Sequence, residues 1–318
     1  MAIQISKTTT QFPHGIYTVM VTPFDEDFTI DYISLKKWFD NQVLTNIAGF
    51  VLMGTTSESP TLSREEQFEI LVKISEWNKK LEEPKYLILG CGGNDTFETV
   101  EFSKKCVSYC DAFMVTVPSY NKPTQNGIYE HYKYFCSDKI LSSKPLMIYN
   151  VPSRTGINMD VSTIKRVHED FKNIIAIKEA SGSMSQLIQL KSQVPTLKIF
   201  SGDDLLTLDF LIHGGCGVIS VASNIIPEIM CKLYDNFITE YYKKEYVKYS
   251  TFDLFYRYKL PQFFTELFCE TNPIPVKFLL YHTKVFTNNI LRLPMTSLSE
   301  NLHQKVIDAY STSINVIL

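Results

Sequence analysis

The sequence predicts an α/β protein, a (β/α)8 TIM barrel with a C-terminal helical extension. Eight short apolar runs follow one another along the chain, and stretches of helical period separate most of them. No G-x-G-x-x-G phosphate-binding fingerprint follows any of these runs. Strands that alternate with helices pair in parallel through right-handed crossovers, and eight of them without that fingerprint favour a closed barrel over an open sheet.

Each predicted strand is a near-continuous apolar run, as expected of strands that are buried on both faces. The runs begin at Gly15, Gly49, Tyr86, Ala112, Pro145, Ile174, Leu197 and Gly217. We therefore predict an N-terminal extension over residues 1–14, a barrel over 15–226 and a helical region over 227–318. Prolines punctuate the helices predicted in this last region, at Pro261, Pro273 and Pro275.

Local signals define several helix starts. After the second run, Ser63 and Glu66 have the spacing of a capping box, in which each side chain bonds the backbone N–H of the other residue. Asp95 and Asp160 are the expected N-cap residues of two later helices. The predicted buried face of the helix after Ser63 comprises Phe68, Leu71, Val72 and Ser75.

Composition and charge exclude several function classes. The formal net charge of the 318 residues is -3 and the Lys and Arg residues are scattered, so we expect no nucleic-acid partner. No apolar stretch approaches the roughly 20 residues that span a bilayer, so we expect no membrane association. Because the opening residues also lack the apolar core of a signal peptide, we expect a cytoplasmic protein.

The seven cysteines follow no disulfide or metal-binding pattern. Cys106 and Cys110 lie one helical turn apart, a spacing that two metal ligands can have, but no second pair of ligands is nearby in the sequence. We interpret them as buried free thiols. His131 and His168 fall in helical stretches and are interpreted as surface or packing residues, so we expect no metal.

Polar residues cluster where the predicted strands end. Thr55 and Thr56 follow the second run, Tyr149 is at the end of the fifth and Lys178 at the end of the sixth, and Gly202 follows the core of the seventh. The carboxyl ends of the strands of a parallel barrel open on one face, where active sites of this fold lie. We therefore expect these residues to lie close together.

Lys178 follows the apolar run 174–177. It could be a strand-end lysine that extends into solvent. Alternatively it is a Schiff-base lysine, since apolar surroundings disfavour the ammonium form and favour the neutral amine that attacks a ketone. Tyr149 could be a packed aromatic residue, or its hydroxyl could transfer protons beside an imine.

Arg154 lies between Pro152, which stiffens its loop, and Gly156, which permits a turn. An exposed loop arginine is usually a solvated charge, whereas a held guanidinium binds a carboxylate through two parallel N–H groups. Thr55 and Thr56 fall in a turn whose backbone N–H groups could bind another carboxylate. The alternative for this turn is a plain connection with hydroxyl caps.

Seven segments resemble the dihydrodipicolinate synthase and N-acetylneuraminate lyase family. They are GTTSE at Gly54, YNVPSRTG at Tyr149, IKEASG at Ile177, SGDD at Ser201, GVISV at Gly217, NPIPVKF at Asn272 and LRLPMT at Leu291. They occur in the family's order and extend over nearly the whole chain. YNVPSRTG together with NPIPVK is specific to the synthase branch of that family.

The resemblance implies an aldolase that condenses pyruvate with L-aspartate 4-semialdehyde and uses no organic cofactor. It implies that Lys178 forms an imine with pyruvate. It also implies a proton relay of Tyr149, Thr55 and Tyr120, in which Tyr120 reaches in from a neighbouring subunit. The family is typically a homotetramer made of two tight dimers, so we expect the same assembly.

The resemblance further implies the substrate contacts. Thr56 would help to bind the carboxylate of pyruvate, and Arg154 would bind the carboxylate of the semialdehyde. Backbone atoms of Gly202 and Ile219 would line the pyruvate pocket. The chain departs from the family at Ser57, where glycine is usual, which bears on the geometry of the turn beside Thr56.

A second departure concerns the site at which lysine inhibits regulated members of the family. Asn94 and Glu98 match that site, whereas Arg64 and Gln67 replace two histidines and Ser119 replaces a tyrosine. We therefore expect L-lysine to inhibit this chain weakly or not at all.

Two alternative functions remain open on the sequence. Another pyruvate-dependent lyase of this fold, which cleaves a sialic acid or a 2-keto-3-deoxy sugar acid, would keep Lys178 and Tyr149 but has no evident need for Arg154. A non-catalytic barrel that serves in binding is the other alternative, and the intact constellation over several loops argues against it.

Overall fold

The computed structural model describes residues 12–243 and 259–314. Eight parallel strands close into a barrel in chain order, which confirms the predicted fold. The strands are β1 Gly15–Val19, β2 Gly49–Leu52, β3 Tyr86–Cys91, β4 Ala112–Thr116, β5 Leu146–Asn150, β6 Ile174–Glu179, β7 Lys198–Ser201 and β8 Gly217–Ser220. Every strand begins within one residue of its predicted start.

Helices connect the strands and continue beyond the last one. Those between the strands are α1 Tyr32–Val43, α2 Arg64–Asn78, α3 Thr96–Cys106, α4 Gln125–Ser137, α5 Pro152–Thr155, α6 Val161–Asp170, α7 Met184–Gln193 and α8 Thr207–Ile212. After β8 come α9 Pro227–Lys243, α10 Leu260–Glu266, α11 Ile274–His282 and α12 Glu300–Ile314. Of the predicted N-terminal extension, residues 1–11 lie outside the described part of the chain.

The helix starts largely follow the sequence signals. Ser63 and Glu66 form the predicted capping box of α2, and the Asp95 carboxylate caps α3 by accepting from the backbone N–H of Glu98. Asp160 occupies the N-cap position of α6, but its side chain makes no capping hydrogen bond.

The predicted buried face of α2 is rotated from the observed one. Phe68 and Val72 are only half-buried. The buried residues are Gln67, Ile70, Leu71, Ile74, Ser75 and Asn78. Two of them are amides that hydropathy places outside, and both have partners inside: Gln67 Nε2 donates to the carbonyls of Ser59 and Leu62, and Asn78 Nδ2 donates to that of Lys85.

The amino end of the barrel is filled by rings. We call Phe12, Tyr17, Tyr86 and Phe200 the aromatic floor. The centroid of Phe12 lies 5.5 Å from that of Tyr86 and 6.4 Å from that of Phe200, and Tyr17 meets Phe200 edge-on at 5.7 Å. Phe12, the first described residue, is fully buried. Phe12 thus packs into the barrel, whereas Pro13 and His14 between it and β1 are exposed.

The cysteines and the histidine that could have been metal ligands are buried thiols and a hydrogen-bonded imidazole. Cys106 and Cys110 are buried free thiols, as predicted, and burial raises the pKa of Cys106 to about 12. His131 is buried and its Nδ1 pairs with the Thr96 hydroxyl at 2.8 Å. Within residues 12–243 and 259–314 no group of three His, Cys, Asp or Glu side chains is placed to hold a metal ion. No helix there has the length and hydropathy needed to cross a bilayer.

Candidate active site

Strand alternation places Lys178 and Tyr149 inside the barrel, side by side. Along β6, Ala176 packs inside the barrel, in what we call the inner core, and Ile177 packs between the strands and the helices, in the outer core. Because side chains alternate along a strand, Lys178 again points into the barrel. Tyr149 belongs to the inner core and is the register partner of Lys178 on the adjacent strand. The Lys178 amine lies 4.2 Å from the centroid of the Tyr149 ring.

Lys178 is a buried amine without a neutralising carboxylate. It is 5% exposed, so the alternative of a solvent-extended lysine is wrong. None of the ion pairs among the described residues involves it. No carboxylate holds this amine in an ion pair, so its nitrogen is available to attack a ketone.

The neighbouring carboxylate, Glu179, points to the opposite side of the strand and is occupied there. It accepts hydrogen bonds from Asn150 Nδ2 at 3.0 Å, from Gln186 Nε2 at 2.9 Å and from the backbone N–H of Ser181 at 2.7 Å. These amide donors satisfy the charge of Glu179 on the outside of the barrel. The adjacent pair of Lys178 and Glu179 is therefore not an ion pair.

A cavity of about 660 Å³ opens at the carboxyl end of the strands. Thr55, Tyr149 and Arg154 line one part of it, and Arg64 and Asn94 line another. The cavity thus brings together Thr55, Tyr149 and Arg154, which are up to about 100 residues apart in the sequence. Its lining residues do not include Thr56, Lys178, Gly202 or Ile219.

The turn Thr55–Ser57, which we call the threonine turn, is a short 3-10 helix after β2. Thr55 lines the cavity and Thr56 is buried. Ser57 is fully buried, and its hydroxyl donates to the carbonyl of Met20 at 2.8 Å. None of the turn's three residues is left-handed; the residue that follows the turn, Glu58, is, with φ 55. Serine at position 57 is therefore accommodated without strain, which answers the question raised by the missing glycine.

A buried ion pair attaches the threonine turn to the C-terminal helices. The Lys277 amine of α11 donates to the Glu58 carboxylate and, at 2.8 Å, to the carbonyl of Ile290. Both side chains are almost wholly buried. Burial lowers the pKa of Lys277 to about 8, although the Glu58 charge opposes that shift. The position of the turn thus depends on α11.

Arg154 lies on a short helical turn at the cavity. Its loop is the one-turn helix α5, which ends at Gly156 in the left-handed conformation with φ 75. Arg154 itself is exposed at the cavity. One nitrogen of its guanidinium, Nη2, donates to the backbone carbonyl of Asn272 at 3.2 Å. The remaining N–H groups can meet an anion in the cavity.

Asn272 connects this arginine to the threonine turn. Its side-chain Nδ2 donates to the Thr56 hydroxyl oxygen at 3.0 Å. It lies directly before α11 and is buried. Asn272 lies in the segment NPIPVKF, and the sequence indicates no role for it, because no pattern links positions 56 and 272.

Gly202 directly follows β7, the strand that pairs with β6 and hence with Lys178, and Ile219 lies in the next strand, β8. Phe200 is the register partner of Lys178, and Ser201 that of Val218, so Gly202 and Ile219 follow side by side. A Cβ atom on Gly202 would come within 2.5 Å of the Ala180 side chain, so only glycine fits there. Whether their backbone contacts a substrate stays a prediction.

Tyr120 does not enter the cavity of its own chain. It follows β4, is 85% exposed and has a left-handed φ of 67. Its backbone N–H donates to the carbonyl of Thr155 at 3.3 Å, which connects it to α5, the short helix that carries Arg154. The side chain therefore projects outward from the rim of the barrel.

Arg64, which lines the cavity, forms an ion pair with Glu98. The Arg64 guanidinium donates to both carboxylate oxygens of Glu98: Nε to Oε1 at 2.7 Å, and Nη2 to Oε2. Its Nη1 donates to Gln67 Oε1 at 2.8 Å. It also stacks over the Phe102 ring at 4.4 Å. Arg64, one of the three residues that differ from regulated relatives, thus engages both Glu98 and Gln67.

Comparisons with known proteins agree on one family. The model of the dihydrodipicolinate synthetase family matches residues 12–312. A protein named 4-hydroxy-tetrahydrodipicolinate synthase from Endomicrobium trichonymphae is 40% identical over 287 residues, which cover 90% of this chain and 93% of that one.

Solved structures resemble this chain in the same way. A DHDPS from Cyanidioschyzon merolae with lysine bound has a TM-score of 0.86 and 31% identity, covering 94% of this chain and 98% of the other. A chloride-inhibited dihydrodipicolinate synthase from Acinetobacter baumannii, complexed with pyruvate, has a TM-score of 0.85 and 31% identity, covering 95% and 99%.

Proposed function

Because the chain belongs to the dihydrodipicolinate synthetase family, we propose that it condenses pyruvate with L-aspartate 4-semialdehyde. The product is 4-hydroxy-tetrahydrodipicolinate, and the reaction is the first committed step of diaminopimelate and lysine biosynthesis. The chain is accordingly a lyase that acts through an imine. The observation that carries this proposal is the buried, unpaired amine of Lys178 beside the Tyr149 ring.

The first step is imine formation. The neutral Lys178 amine attacks the ketone carbon of pyruvate, and loss of one water leaves a C=N bond. The imine withdraws electrons from the adjacent methyl group, which gives up a proton to form an enamine. Tyr149, the register neighbour of Lys178, would transfer these protons together with Thr55 at the cavity wall.

The second step joins the substrates. The enamine carbon attacks the aldehyde carbon and forms the new C–C bond, and the resulting alkoxide takes up a proton. The amino group of the semialdehyde then attacks the imine carbon, which closes the ring and returns Lys178 as a free amine. This sequence has no net redox change and the imine itself is the electron sink, so we propose that no organic cofactor takes part.

Two carboxylates need cationic or hydrogen-bonding partners. We assign the carboxylate of pyruvate to Thr56 and the threonine turn, with the backbone of Gly202 and Ile219 lining the same pocket. Arg154 is assigned to the carboxylate of the semialdehyde, because its free N–H groups face the cavity and form a planar fork.

The exposed Tyr120 supports an assembly of several copies. Its side chain projects from the rim and leaves its own cavity, which fits a proton relay that it completes in a neighbouring copy. We propose a homotetramer of two tight dimers in which Tyr120 is exchanged across each tight interface, and we propose that the enzyme acts in the cytoplasm.

The decisive experiment is a pair of activity assays together with trapping of the imine. Purified protein should consume pyruvate and L-aspartate 4-semialdehyde and should not cleave sialic acid. Borohydride reduction in the presence of pyruvate, followed by peptide mass mapping, should place the adduct on Lys178. Lys277 is the internal control, since it is equally buried but paired with Glu58. An adduct at Lys277 alone, or none at all, would contradict the proposal.

A further inference from the structure

Asn272 contacts both Thr56, which we assign to pyruvate, and Arg154, which we assign to the semialdehyde. Its side-chain Nδ2 donates to the Thr56 hydroxyl, and its backbone carbonyl accepts from Arg154. The residue is 8% exposed and separated from Thr56 by 216 positions. The two contacts use different atoms, so a change of the side chain acts on Thr56 and leaves the contact with Arg154 in place.

The contact with Thr56 fixes the direction of a proton. A threonine hydroxyl has one proton to donate and lone pairs that accept, whereas an amide NH2 group only donates. Because the Thr56 oxygen accepts from Asn272, its own proton is directed away from Asn272. That proton can therefore donate to an acceptor on the other side of the hydroxyl, such as a carboxylate.

The other side-chain atom of Asn272 argues against a purely structural role. Its Oδ1 is buried and has no hydrogen-bond partner. A buried acceptor without a donor lowers stability, and an apolar residue of similar shape would avoid that cost. Asn78, buried at the other end of the barrel, uses both of its amide atoms, which pair with the backbone of Lys85.

We propose that Asn272 is a positioning residue for pyruvate, which keeps the Thr56 hydroxyl turned toward the substrate carboxylate as a donor. The proposal rests on the proposed function, since it requires that Thr56 binds pyruvate. Asn272 acts through Thr56 and does not itself contact the reacting atoms.

The first test replaces the donor by an acceptor of the same shape. In Asn272→Asp at neutral or higher pH, the new carboxylate accepts the Thr56 proton and turns the hydroxyl away from the substrate. The concentration of pyruvate that half-saturates imine trapping should rise about ten- to a hundredfold. KM for the semialdehyde should change far less, because the backbone carbonyl still accepts from Arg154.

Acid should reverse this defect. A protonated carboxyl group is a neutral donor, as the amide is, and burial raises the pKa of a carboxyl group. Lowering the pH should therefore restore the pyruvate affinity of Asn272→Asp toward that of the wild type measured at the same pH. A role in filling space alone produces no such recovery.

A second variant keeps the shape without any charge. Asn272→Leu should weaken pyruvate roughly two- to tenfold, the effect of one hydrogen bond. Combined with Thr56→Val, which has no hydroxyl to direct, it should cause no further loss. Asn78→Asp is the matched control for replacing a buried asparagine, and it should leave both KM values unchanged. Unfolding curves of each variant check that it folds.

The outcomes separate this proposal from the proposed function. Wild-type protein that traps no pyruvate on Lys178 overturns the proposed function and this inference with it. If the wild type traps pyruvate, the role of Asn272 alone is overturned by unchanged affinity in Asn272→Asp, by a defect that acid does not reverse, or by additive losses in the double variant.

Discussion

The two ends of the barrel differ in the side chains that they bury. At the amino end the aromatic floor consists of rings packed at 5.5–6.4 Å, and Phe12, Tyr17 and Phe200 are fully buried. At the carboxyl end several buried side chains are polar or charged, and Lys178, Asn272 and Lys277 are among them. Apolar packing stabilises a fold directly, whereas burial of an amine or amide has a cost.

The comparison shows that stability and chemistry are separated along one axis. Substitutions in the floor should act on the free energy of unfolding and leave the kinetics alone. At the carboxyl end, substitutions of buried groups without an ion-pair partner, such as Lys178, should affect catalysis. Substitutions of buried groups that have such a partner, such as Lys277, should affect folding. Matched variants at the two ends can test this division.

Lys178→Met should abolish imine trapping and condensation, because no other described lysine lies inside the barrel beside Tyr149. Its free energy of unfolding should be maintained or rise, since a buried polar group without a partner is replaced by an apolar one. Chemical denaturation and the condensation assay measure the two effects.

Lys277→Met is the matched variant. It leaves the buried Glu58 without its counter-charge and should lower the free energy of unfolding by about 3–5 kcal/mol. If the two variants lost stability equally, the distinction between an unpaired catalytic lysine and a paired structural one would be refuted.

Arg154→Ala should lower kcat/KM for the semialdehyde by on the order of 2–5 kcal/mol in transition-state stabilisation. Imine trapping with pyruvate should stay largely intact, because Arg154 lies at the cavity mouth and is exposed. Arg166→Ala, on the outer helix α6, is the control and should change neither quantity. An unaltered kcat/KM in Arg154→Ala would remove this residue from the substrate site.

Phe12→Ala should lower the free energy of unfolding by about 3 kcal/mol, as expected when a fully buried ring is truncated. Its kcat and KM should match the wild type at temperatures where the variant is folded. Phe97→Ala, at a position that is 66% exposed, is the control and should cost less than about 1 kcal/mol. A kinetic defect in Phe12→Ala would show that the floor shapes the site after all.

L-Lysine should inhibit weakly, with half-inhibition at several millimolar or above. Glu98, which would bind the ammonium group of lysine, is already held by Arg64, and Ser119 lacks the ring and hydroxyl of a tyrosine. Losing one hydrogen bond and its packing weakens binding about ten- to a hundredfold, or roughly 1–3 kcal/mol. Lysine titration at saturating pyruvate measures this.

Arg64→Ala sharpens the test, because it releases Glu98 and should increase the sensitivity to lysine. Half-inhibition of the wild type well below about one millimolar, an affinity of more than ~4 kcal/mol, would show that the site remains functional despite these substitutions.

Much of the barrel could be predicted because its strands are simple. A strand buried on both faces must be apolar along its whole length, so its start is visible in the sequence. Lys178 and Tyr149 could be predicted as neighbours because the fold orders consecutive strands side by side. The buried face of α2 was predicted only in part: Leu71 and Ser75 are buried, but Phe68 and Val72 are not. Hydropathy places Gln67 outside, and its partners, the carbonyls of Ser59 and Leu62, become visible only in the fold.

The contacts of the C-terminal helices could not be predicted. The pairs Asn272–Thr56 and Lys277–Glu58 join segments more than 200 residues apart, and no strand register relates them. Lys277 stands in the apolar stretch IPVKFLLYH. A charge there requires a buried partner, but the sequence offers many carboxylates and does not show which one lies opposite.

The aromatic floor has a consequence for the order of events during turnover. A barrel that is filled at one end has a single mouth, so both substrates enter and everything released must leave by the same route. Forming the imine expels a water molecule, and this water must depart before the second substrate fills the opening. Pyruvate is thus expected to bind first, and initial rates should give parallel lines in double-reciprocal plots, the pattern of an enzyme that releases one product before it admits the next reactant.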